Sequence, residues 1–112
     1  TLSSIKNVTE VFGKSYEIDR NADENCVVSS NVFNLTLDKY DSYSEYEIIA
    51  FKPKSTNIAN PMLNINSLGQ IPIYQEYTSN PIPQNTIIAN EVNTIMIRKQ
   101  EETFISYYLG AR

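Results

Sequence analysis

Along most of the chain, apolar and polar residues alternate singly, which is the period of a strand with one buried face. The pattern is cleanest at Phe33, Leu35 and Leu37, interleaved with Asn34, Thr36 and Asp38. It predicts a strand with three large apolar side chains on one face. After the polar turn Asp41-Ser42-Tyr43-Ser44, the run Tyr46-Glu47-Ile48-Ile49-Ala50-Phe51-Lys52 is rich in β-formers, and so short a link predicts an antiparallel neighbour of the preceding strand. Met62-Leu63-Asn64-Ile65-Asn66 alternates again, and Ser67-Leu68-Gly69 turns it. Gln70 to Gln75 then returns with Ile71 and Ile73 inward; Pro72 confines this strand to an edge or a bulge, because proline gives no ladder donor. Near the end, Ile95 and Ile97 oppose Thr94, Met96 and Arg98. With Thr103 to Leu109 they predict a closing hairpin around Gln100-Glu101-Glu102.

The first residues differ. Leu2, Ile5, Val8, Val11 and Phe12 fall roughly on a helical face, so residues 1–12 are a candidate short helix or stalk, ended by Gly13-Lys14. Ser15-Tyr16-Glu17-Ile18 reads as a short strand, and Asp19 to Asn25 as a polar, acidic connection. The chain is therefore divided into a linker or stalk over residues 1–25 and a β module over residues 26–112. Several short strands with frequent turn signals predict an all-β fold, a small antiparallel β-sandwich or barrel-like domain. Glu76 to Asn85, with Pro81 and Pro83, is the longest irregular stretch and an expected exposed loop.

Composition narrows the function. A length of 112 residues suits one domain, and a first residue Thr1 in place of Met predicts a piece of a longer protein. The net charge of −4, with acidic residues dispersed, argues against a phosphate-binding footprint, so nucleic acid is not an expected partner. No apolar run approaches the ~20 residues of a membrane-spanning helix, and no membrane insertion is expected. Cys26 is the sole cysteine, expected to be an inert, partly buried residue, and the sequence has no histidine. The usual general base, the commonest metal ligand and the imidazole of nucleophilic triads are all missing. Neither a metal nor a cofactor is expected.

Carboxylate pairs suited to glycoside chemistry are limited to Glu45 with Glu47, expected on one exposed strand face, and Glu101 with Glu102 in a solvated turn. Neither makes a credible acid and base, and the three glycines form no phosphate loop. Catalysis is not expected. Asn64 and Asn66 are expected to project from one strand face, as a hydrated surface or a contact for sugars or partner chains. Tyrosine is the unusual component, eight residues with no tryptophan. Its flat ring and hydroxyl handle favour interfaces and sugar contacts at little entropic cost. Combined with the exposed loop, this makes Tyr74, Tyr77, Asn80 and Asn85 the candidate ligand-binding residues.

The segment from Phe51 to Ile73, with Phe51-Lys52, Thr56-Asn57, Leu63-Asn64-Ile65-Asn66-Ser67-Leu68-Gly69 and Pro72-Ile73, resembles a module recurrent in bacteriophage tail-fibre and related virion proteins. Ser67 stands where the family usually has Gly. Phe33 to Leu37 resembles the family's preceding strand, and Asn93 to Ile97 with Thr103 to Ile105 its closing hairpin, so the likeness spans about Cys26 to Leu109. The resemblance implies a virion location, a structural or adhesive role in host attachment without an active site, assembly as a homotrimer alongside other virion proteins, and a host-surface carbohydrate as a candidate ligand. On that basis Leu2, Ile5, Val8 and Val11 are the candidate threefold seam. The alternatives are a head-fibre or capsid-decoration protein and, from a different class, a secreted carbohydrate-binding module.

Overall fold

The computed structural model describes residues 26–111 and the backbone of residues 15–17. Alternation becomes eight strands among these residues: β1 Ser15–Glu17, β2 Cys26–Ser29, β3 Val32–Leu35, β4 Ile48–Phe51, β5 Met62–Ile65, β6 Gln70–Gln75, β7 Asn93–Gln100 and β8 Thr103–Ala111. They hydrogen-bond in the order β1-β4-β7-β8-β6-β5-β3-β2. The described residues contain no helix. The all-β expectation holds, but the sheet is mixed and not antiparallel as expected: β1–β4, β3–β5 and β6–β8 pair parallel and the other four pairs antiparallel, since strands adjacent in space here are often not consecutive in the chain. The candidate N-terminal helix, with Leu2, Ile5, Val8 and Val11, lies outside the described residues.

Phe33, Leu35 and Leu37 are all buried, as the alternation requires, although the strand ends at Leu35. The closing hairpin is also present, with Gln100 opposite Thr103 and Glu101 at positive φ in the tight turn. Two expectations about neighbours are corrected. First, β4 does not pair with β3; it lies between β1 and β7. The connection over residues 36–47 does not turn back as a hairpin, because its polar groups are drawn to other strands. Asn66 holds Leu37 and Tyr40, while Ile97 donates to the carbonyl of Glu47 and Tyr46 donates to that of Ile97. What brings β3 and β4 together is the core: Phe33 and Phe51, both fully buried, meet edge to face at 6.1 Å. Truncating either ring to Ala would cost about 3–5 kcal/mol.

Second, β6 is an interior strand despite Pro72. Its first half pairs with β5 as far as Met62↔Pro72, and its second half pairs with β8 from Ile73↔Ser106 onward. Strand N–H groups alternate sides. Ile73 donates to Pro61 O and Gln75 to Asn80 O, so the donor that Pro72 lacks would fall on the opposite side, one residue before the β8 ladder begins. The Pro72 carbonyl takes a bond from Ser106 Oγ at 3.0 Å. The proline thus sits at the one position of an interior strand that needs no N–H.

Ile49, Phe51, Leu63, Ile65, Ile71, Ile73, Ile95 and Ile97 fill the core with the phenylalanines. The opposite face of β7, β8 and β6 carries Met96, Arg98, Ile105, Tyr107 and Tyr74, as their pairing register dictates. That outer face positions the candidate site.

Candidate binding site

The loop over residues 76–92 is longer than the sequence pattern indicates, and two buried asparagines fix it. Asn57, fully buried, accepts from the N–H groups of Thr86 and Ile87 at 2.9 and 2.8 Å and donates to the carbonyls of Pro83 and Ile58, each at 3.0 Å. Asn93, also fully buried, donates to Ile88 O and Glu91 O and accepts the Tyr108 hydroxyl at 2.6 Å. Each amide replaces backbone pairing that an irregular segment cannot make for itself. Ile82 and Ile87 insert into the core from the same loop. The exposed part of the loop is therefore presented from a fixed frame.

The four candidate ligand residues are placed as follows. Tyr74 stands on β6, half-buried, facing outward. Tyr77, 73 % exposed, has φ +61 and leans on Tyr107 with ring centroids 5.6 Å apart. Asn80 is exposed within a turn, its N–H bonded to Thr78 Oγ1 and its carbonyl to Gln75 N. Asn85 is exposed at φ +64, its N–H held by Asn57 O. Tyr74 and Tyr77 share one face, whereas Asn85 belongs to the part of the loop fixed by Asn57 and borders neither surface depression described next.

Tyr74 and Pro72 form the ridge between two depressions. The larger, about 650 Å³ and open to solvent, has an apolar wall of Pro72, Tyr74 and Ile105. Its opposite rim is Ser79, Gln100, Glu101 and Thr103. The smaller, about 320 Å³, is lined by Asn60, Pro61, Met62 and Pro81 together with the ridge. The sequence pattern does not reveal the rim, because Gln100-Glu101-Glu102 carries only the signal of a turn. The available signal was the hairpin register, which puts the turn beside the strand that carries Ile105.

The rest of the face is an aromatic row. The Arg98 guanidinium lies over Tyr46 at 4.7 Å and near Tyr107 at 5.7 Å, and its Nε reaches Glu45 at 3.3 Å. Such stacked cations contribute about 0.5–1 kcal/mol each when exposed. Glu45 and Glu47 do not share an exposed strand face: both precede β4, Tyr46 between them has φ +71, and Glu47 is buried. Its carboxylate accepts Tyr40 OH at 2.5 Å and Ser44 N at 3.1 Å. Asn64 and Asn66 do not form a common contact surface either. Asn64 accepts Gly69 N, and Asn66 is spent on Leu37 and Tyr40.

Three groups have displaced acidities. Burial pushes the Cys26 thiol up to about 12, so it is neutral and unreactive at ordinary pH. Burial also raises Tyr43, partly offset by the N–H of Ile65, and raises Tyr108, with the Glu91 charge adding to it. Tyr43 bridges Gly69 O and Ile65 N, pinning the turn between β5 and β6. No cluster of three acidic or cysteine side chains suited to a metal occurs among the described residues.

The chain matches no protein-family model, no curated protein and no solved structure.

Proposed function

We propose that this chain is a non-enzymatic structural and adhesive module of a bacteriophage appendage, a tail or head fibre, that assembles as a homotrimer and touches a host-surface glycan through its outer face. The observation that carries the reading is where the buried polar groups go. Asn57, Asn93, Ser106 and Glu47 are each bonded to backbone or to a tyrosine hydroxyl, so their polarity is used to hold loops in place or, for Ser106, to tie β8 to β6. A module that works by presenting a surface needs rigid loops on a fixed scaffold. The likeness of Phe51 to Ile73 to the phage module supports the same reading. Within it, the fold is a small β-sandwich whose two layers share β6, an arrangement consistent with the contact of Phe33 and Phe51 across the core.

A secreted carbohydrate-binding module is the second reading, favoured by the aromatic ridge of Tyr74 between two depressions. Both readings expect sugar contact; they part over assembly. Light scattering or native mass measurement of the chain at micromolar concentration decides between them. The fibre reading expects a trimer that Leu2→Asp with Ile5→Asp weakens, while a stable monomer would sink it.

A further inference from the structure

The larger depression has a chemistry that can be read further. Its apolar wall is compact: Tyr74 offers a half-buried ring, with Pro72 and Ile105 beside it. Its polar rim is dominated by acceptors. Gln100 is locked by three bonds: Ser79 Oγ donates to its Oε1 at 3.1 Å, and its Nε2 donates to Thr78 O at 3.3 Å and to Tyr107 OH at 3.4 Å. Both amide hydrogens are therefore used, while one lone pair of Oε1 stays open. Glu101 projects from the hairpin tip at φ +56 as a carboxylate without an ion pair to another described residue, and it is the only charged group on the rim.

Resting on the adhesive reading above, we infer that this depression is a subsite for one neutral hexopyranose, stacked on Tyr74 with vicinal hydroxyls donated to Glu101 and Gln100. A sugar ring has an apolar C–H face for the tyrosine and an edge of hydroxyl donors for a carboxylate, which accepts two at once. The volume of about 650 Å³ lies within the ~300–1,000 Å³ of small-molecule sites. A sugar bearing sialate or phosphate would meet the Glu101 carboxylate with no cation on the rim to offset it. The pre-set Gln100 amide lowers the ordering cost of binding. An open, single-ring site is weak by itself, and several copies on one particle multiply it without new contacts.

The test uses the whole chain on an array of neutral oligosaccharides ending in glucose, galactose, mannose or N-acetylglucosamine, beside sialylated and phosphorylated oligosaccharides. Neutral hits are then titrated at millimolar concentration into 15N-labelled protein. Amide shifts are expected at Tyr74, Gln100, Glu101, Thr103 and Ile105. Tyr74→Ala and Glu101→Gln should each weaken binding by about tenfold, while Val27→Ser on β2, exposed and remote from the rim, should not. Three results would overturn the inference: a preference for anionic glycans, shifts confined to another face, or no neutral sugar bound at millimolar concentration. A preference for anionic glycans defeats this subsite alone, binding of no sugar at all also counts against the sugar contact of the fibre reading, and the trimeric assembly of that reading is tested separately by the mass measurement.

Discussion

Asn57→Ala is the sharpest perturbation of the frame that holds the binding face. The substitution removes four hydrogen bonds from a fully buried side chain. The bond to Ile58 O lies beside an exposed residue where water can replace it, so it adds little. The other three fasten Thr86, Ile87 and Pro83, and Ile87 is fully buried. At about 1 kcal/mol net per bond, with a further penalty for a buried N–H left unpaired, the loss comes to about 3–4 kcal/mol. That is a large share of the ~5–15 kcal/mol that holds a domain together. An entropy of unfolding near 2.1 cal/mol/K per residue converts it to a fall in Tm of about 13–17 °C. Urea unfolding followed by far-ultraviolet circular dichroism should show the midpoint falling with an unchanged slope, the sign of lost stability in a two-state transition. Asn57→Asp should also destabilise, because it keeps the oxygen that accepts from Thr86 and Ile87 but turns a carboxylate oxygen toward the carbonyls of Pro83 and Ile58. A midpoint shift worth under about 1 kcal/mol for Asn57→Ala would refute the argument that one amide holds this loop.

Asn66→Ala should cost about 2–4 kcal/mol, since it loses the bonds to Leu37 N, Leu37 O and Tyr40 O and leaves alanine at φ +50. Asn66→Gly relieves the backbone alone, so it should recover only part of the loss in the same urea assay; full recovery would mean that the side-chain bonds do nothing. The Cys26 thiol, raised from 9.0 to about 12 by burial, ties stability to alkaline pH. Because the folded value is the higher one, its contribution is whole below pH 9 and fades as pH rises toward 12. Cys26→Ser or Cys26→Ala should flatten that part of the stability profile, and a thiol reagent at pH 8 should label the native chain far more slowly than the unfolded one.

Strand existence and facing were legible because alternation reports which side of a strand is wet. Ile71, Ile73, Ile95 and Ile97 all sit inward where the pattern puts them. Partners were less legible, since a period of two says nothing about which strand lies alongside. The short link from β3 suggested a hairpin to β4, yet the aromatic contact of Phe33 with Phe51 joins them through the core instead. Pro72 was informative about its missing N–H and misleading about the edge, because an interior strand that changes partners has one position at which no donor is required. The loop clamps had only a weak signature. Asparagine is common here at positive φ, at Asn31, Asn60, Asn66, Asn85 and Asn90, as its tolerance of the left-handed region predicts. Asn57 and Asn93 carry no such mark, and nothing in their neighbours' polarity distinguishes a buried amide from a solvated one. Of the candidate site, the tyrosines could be read from the loop, but the Gln100–Thr103 rim depends on tertiary placement.

The position of β8 governs how this chain can fold. It lies in the middle of the sheet, parallel to β6 and antiparallel to β7, so residues 103–111 must be made before the two halves can join. The hairpins β2–β3, β5–β6 and β7–β8 are local and can form within microseconds. The pairings Ser15↔Ile48, Val32↔Met62 and Ile73↔Ser106 each wait on closure of a loop of roughly thirty residues, a cost met before any contact repays it. During synthesis the open edge of β6, with Ile73 beside it, stays uncovered until β8 emerges and pairs with it. Folding should therefore be a concerted event, in which β8 closes the sheet on both of its sides.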